Sequence, residues 1–189
     1  LLVHALTESR ISDEVWHRIQ GRPKESLCNR GAAALLLPHG LFEESADASG
    51  VSVQAARTLA DSYGTSLLAT LIALVQRGPG SHALIGWRWG LRPTDEHRSH
   101  PSQMTFGAEF ETAALPKLRV AWVRSTIGAR TPYIPNHKSV EADSAIVQCA
   151  RGGGTTATYE ALDLGGLQAT CWIETVEGSE NVADALALV

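Results

Sequence analysis

The 189-residue chain is long enough for one or two domains, and its 44% hydrophobic and 19% charged residues exclude an intrinsically disordered protein. A net charge of −4 argues against a protein whose main task is gripping nucleic acid backbone, while leaving a local basic patch open. Three cysteines, Cys28, Cys149 and Cys171, are odd in number, widely spaced and without a CxxC pair, which favours reduced thiols in a reducing compartment over a disulfide framework or a zinc knuckle.

No apolar run reaches the roughly 18 residues that span a bilayer. Leu1 to Leu6 has no basic stretch before it and soon gives way to polar residues, unlike a signal peptide. The chain opens Leu1-Leu2-Val3-His4 without methionine, inside an apolar segment, so residues upstream are expected. Leu1 to Leu6 then reads as the tail of a helix. Ser12, Asp13 and Glu14 start another over Ser12 to Gln20, with Val15, Trp16 and Ile19 inward, and Gly21-Arg22-Pro23 stops it. The clearest helix runs from Pro23 to Pro38, with Glu25 in its first turn. Leu27, Ala34 and Leu35 fall on its buried stripe, and Gly31, Ala32 and Ala33 permit close packing. Gly40 to Gly50 is polar and reads as a loop with some helical content. Val51 to Tyr63 and Ser66 to Gln76 form two helices broken by Gly64-Thr65, packed by Leu59 and by Leu67, Leu71, Ile72 and Val75. The pair is helix-turn-helix-like. Ser66 to Gln76 carries no Lys or Arg, so direct nucleic acid binding through it is not expected.

After Arg77-Gly78-Pro79-Gly80 the pattern changes to strands. Ala83 to Gly90, Leu118 to Arg124, Ala145 to Ala150, Thr155 to Leu162 and Leu167 to Val176 are rich in β-branched or aromatic residues. Gly152-Gly153-Gly154 and Gly165-Gly166 mark hairpin or bulge sites. Glu180 to Leu188 is expected to close the chain as a helix. Residues 1–76 are therefore read as mostly helical and 77–189 as a sheet-rich second domain, an α+β chain with its boundary at Arg77 to Gly80.

Glu25 is the first candidate for chemistry. By its position alone it complements the positive end of a helix dipole. It also opens the run Glu25-Ser26-Leu27-Cys28-Asn29-Arg30-Gly31-Ala32-Ala33-Ala34-Leu35-Leu36-Leu37-Pro38. That run resembles the E-x-x-C/A-N-x-x-A-A-x-L-L-x-P segment of the ImmA/IrrE zinc metallopeptidases, with Gly31 at a position that is often aromatic there. The resemblance implies that Glu25 is the third protein ligand of a zinc ion. The other two ligands are the histidines of a preceding HExxH helix, which share a helix face because they stand four residues apart. The Glu between them is the general base toward a zinc-bound water.

The opening Leu1-Leu2-Val3-His4 resembles the stretch just after HExxH in that family, and its distance from Glu25 also suits it. Leu59 to Ala69 is similar to the family's next helical segment, and Pro132 to Ala150 with the strands after it resembles the GAF-like sensor domain of its longer IrrE-type members. The implied architecture is the helical remnant of a zincin-like peptidase domain with a helix-turn-helix-like segment, followed by a GAF-like sheet domain. HExxH itself is not in these residues, so the 189 residues hold no complete catalytic set and are expected to bind zinc weakly or not at all. His4 is a candidate to support a metal ligand, with helix capping as the alternative.

Other candidates are weaker. Glu14 and His17 have a carboxylate-site spacing without the partner motifs. Asp95 to His100, between Pro93 and Pro101, reads as a loop. Gly152 to Gly154 lacks the Gly-Lys-Ser/Thr of a phosphate loop, and no Gly-x-Ser-x-Gly elbow is present. Trp87 and Trp89 share a strand face that is either core or one wall of a ligand pocket. The resemblance implies a cytoplasmic zinc endopeptidase that cleaves a helix-turn-helix repressor during stress or induction. The alternative is a regulatory module without catalysis that binds a protein or small molecule.

Overall fold

A computed structural model of the chain describes residues 31–94, 115–126, 132–179 and 182–189. Glu25, His4, Cys28, the Ser12 to Gln20 helix, the Glu14/His17 pair and the Asp95 to His100 segment lie outside the described residues. The chain is α+β and divides into two compact units, Leu1–Pro79 and Gly80–Val189.

In the first unit, residues 31–36 are helical and end where the Leu37 N–H donates to the Ala33 carbonyl at 2.8 Å. Leu37 is the buried residue here, whereas Ala34 and Leu35 are exposed, contrary to the stripe expected from Leu27. Three consecutive leucines leave the helical phase undetermined by pattern alone, and packing selects Leu37. Gly40 to Gly50, expected to be largely loop, is in fact helix α1, Leu41–Ser49. Gly40, at φ 84°, starts it, and its N–H donates to the Glu43 carboxylate. Phe42 and Ala46, four residues apart, are its only fully buried anchors, which is why its apolar pattern is faint.

Helices α2 (Val53–Tyr63) and α3 (Leu67–Arg77) meet at 114°. Ser52 and Ser66 cap them by accepting from the backbone N–H groups of Ala55 and Ala69, and Gly64 takes the left-handed conformation between them. Thr70, Leu71, Ala73, Leu74 and Val75 are buried along α3, and none of its residues is fully exposed. Such an element is a core helix. Among the described residues no single helix is long and apolar enough to cross a membrane.

The second unit is an open five-stranded antiparallel sheet of order β2-β1-β5-β4-β3. Its strands are β1 (Ala83–Gly90), β2 (Lys117–Ser125), β3 (Thr156–Asp163), β4 (Gln168–Glu177) and β5 (Ala185–Leu188). Helix α4, Ala145–Gln148, runs on into a π-helical turn, Cys149–Gly153. One sheet face, bearing Ile85, Trp87, Val120, Ile173 and Ala187, packs with Ile146, Val147 and Cys149 into the core.

Two of the expected elements of this unit are corrected. Ala145 to Ala150 is helical, because Ser144 caps its start by accepting from the Ile146 N–H at 3.1 Å, and burial of Ile146, Val147 and Cys149 overrides their strand preference. The closing helix expected over Glu180 to Leu188 is absent from its described part, residues 182–189. Ala185–Leu188 is the central strand, paired on both edges and buried throughout.

Gly165-Gly166 forms the β3–β4 hairpin turn, with Gly165 at φ 84°. Gly152 to Gly154 instead ends the α4 segment. At Gly86 a Cβ would sit 2.2 Å from the Trp122 ring, so only glycine lets that ring lie across β1.

Candidate functional site

The structure places the exit of the Glu25-to-Pro38 segment, and not Glu25 itself, on described ground. The Leu37 carbonyl accepts from Arg77 Nη1 at 3.0 Å. The same guanidinium lies 4.5 Å from the centre of the Phe42 ring and 3.4 Å from Glu43 Oε1. His39 Nδ1 is 3.0 Å from the same Glu43 oxygen. Burial pushes the Glu43 carboxyl pKa up, but backbone N–H groups of Gly40 and Glu43, with Arg77 and His39 nearby, outweigh it and hold the pKa below 4.5. The last residue of α3 thus ties down the end of the segment that begins at Glu25. Sequence reasoning missed Arg77 because the carbonyl it holds stands 40 positions away.

Among the described residues, no three His, Cys, Asp or Glu side chains gather where they could share a metal ion. Cys149 is buried and its thiol pKa is raised, chiefly by that burial, against a hydrogen bond with Thr175. Burial also raises Cys171. Both stay protonated near neutral pH, which suits packing and not nucleophilic attack.

The second unit carries a cavity of about 230 Å³ where β1 ends and β2 begins. Trp89 at the end of β1, Leu118 at the start of β2, Val140, and Val147 of α4 give it an apolar wall. Lys117, Glu141 and Arg151 stand around its mouth and are exposed. Arg151 places its guanidinium 5.6 Å from the centre of the Trp89 ring. The two tryptophans expected on one face therefore divide the roles. Trp87 is fully buried core, and Trp89, half-buried, walls the cavity.

No protein-family model matches this chain, and a search of curated proteins finds no significant match.

Beside the cavity, Arg119 is buried at 6% exposure and donates from Nε to the Gly90 carbonyl and from Nη1 to the His137 carbonyl, both at 3.0 Å. It fixes the loop bearing His137, itself at φ 66°, against β2. Lys117, Arg151 and Arg119 are not singled out by sequence.

Proposed function

We propose that the intact protein is a zinc-dependent endopeptidase of the ImmA/IrrE kind, which cuts a helix-turn-helix repressor in a stress or induction response. The run Glu25 to Pro38 carries this reading, because its glutamate, small-residue stripe and Leu-Leu-Leu-Pro ending match one family segment in order and spacing. The described exit of that run supports it, since a helix end held by Leu37 and Arg77 gives a rigid base to whatever the run positions. Glu25 is the metal ligand in this proposal, with two histidines supplied upstream of Leu1 and His4 close behind them. Bound zinc would supply Lewis-acid activation of water and of the scissile carbonyl. One carboxylate is too few donors for tight binding, so residues 1–189 alone are expected to be inactive. The test is to add the upstream gene sequence and assay repressor cleavage with and without chelator. Cleavage should need the metal and vanish in Glu25→Ala; cleavage unchanged in that variant sinks the assignment.

The cavity beside Trp89 favours a second reading for residues 80–189, a GAF-like module that binds a small molecule. It is compatible with the first, since a sensor unit can sit on an enzyme.

A further inference from the structure

We infer that the cavity beside Trp89 is a binding site for a small carboxylic acid with an apolar body. At about 230 Å³ it falls below the roughly 300–1,000 Å³ of drug-sized sites, so a fragment-sized occupant fits. Its wall dictates the body. Trp89, Leu118, Val140 and Val147 offer carbon surface, and a polar molecule would lose water there without replacing it.

Its mouth dictates the charge. Two cations, Lys117 and Arg151, stand against one anion, Glu141. Among the described residues neither cation takes part in an ion pair. Arg151 lies over the indole of Trp89, 5.6 Å from the ring centre, which places its guanidinium against the apolar wall. A guanidinium fork matches a carboxylate in two parallel hydrogen bonds, and Lys117 adds a point charge. The rigid frame comes from Arg119, which ties the end of β1 and the His137 turn to β2. The site thus combines an apolar slot with a cationic lip.

This inference rests on the small-molecule reading of the sheet unit and is independent of the peptidase reading. The probes are phenylacetate and hexanoate, each paired with its neutral amide, and inorganic phosphate. The readout is the Trp89 indole N–H resonance of the full chain, assigned by Trp89→Phe. Phenylacetate or hexanoate should shift that resonance saturably, at least tenfold more tightly than its amide. Arg151→Gln should weaken the carboxylate at least tenfold and leave the amide unchanged. Arg124→Gln, which removes a cation stacked on Trp122 and away from the cavity, should change nothing. Ala142→Trp, at an exposed lining position, should block both probes without lowering the melting temperature.

Equal binding of acid and amide would keep a ligand site but overturn the carboxylate. Displacement of the acids by phosphate at equal concentration would overturn the apolar body. Absence of a saturable shift with either acid would overturn the inference, and absence with the neutral amides as well would overturn the small-molecule reading of this cavity.

Discussion

The helical unit and the sheet unit bury their cores by different routes, and the difference bears on where function can reside. In the helical unit, α2 and α3 are delimited by local signals, two serine caps and a left-handed glycine, and α3 is an interior element. It offers no charged side chain before Arg77, and that one is engaged by Leu37, Phe42 and Glu43. In the sheet unit the core is assembled from strands distant in sequence, one face packs against α4, and the ends of β1 and β2 with the Val140 segment and α4 leave a slot lined by two cations. Local determinants make a scaffold here, and long-range ones make a cavity.

The largest expected effect lies in the long-range core. Trp87→Ala should cost about 3–5 kcal/mol in denaturant unfolding followed by tryptophan fluorescence, which reports mainly the sheet unit because four of the five tryptophans lie there. Trp87→Phe should cost much less, since the buried indole Nε1 has no hydrogen-bond partner among the described residues. A loss in the phenylalanine variant as large as that in the alanine variant would contradict this.

Next comes Arg119→Ala, which removes a buried donor from the Gly90 and His137 carbonyls and should cost about 1–3 kcal/mol by the same measurement. Smaller effects belong to the locally encoded unit. Ser52→Ala and Ser66→Ala should each cost about 1 kcal/mol, read by circular dichroism at the helical band. If these caps cost as much as Arg119, the division between local and long-range support fails.

The smallest effect is a pH dependence. Glu43 is held below its ordinary 4.5, so its stabilisation is complete above that pH and is lost as pH falls through the lower folded value. Glu43→Gln should flatten the acid limb of a stability–pH profile, and an unchanged limb would show that other carboxylates govern it.

The same contrast explains what the sequence made legible. The bounds of α2 and α3 are set by Ser52, Gly64 and Ser66, and β1 from Ala83 to Gly90 falls where its aromatic alternation puts it. Strand β5 escapes a reading of the sequence because Ala-Leu-Ala-Leu has helical propensity, and only pairing with β1 and β4 makes it a strand. Helix α4 escapes it for the opposite reason, β-branched residues held helical by the Ser144 cap and burial. Of the cavity, only Trp89 is legible. Lys117, Glu141 and Arg151 converge through the fold from positions that no spacing rule connects. Glu25 is the reverse case, a residue marked by its sequence context and lying outside the described structure.

The peptidase proposal turns on that glutamate, and the most direct measurement is zinc content. If the peptidase proposal holds, the protein expressed together with an upstream HExxH segment should carry about one zinc per chain, and Glu25→Gln should lose most of it at equal chelator concentration while keeping its circular dichroism. Full zinc retention in Glu25→Gln, or a wild-type protein that carries none, would contradict the proposal.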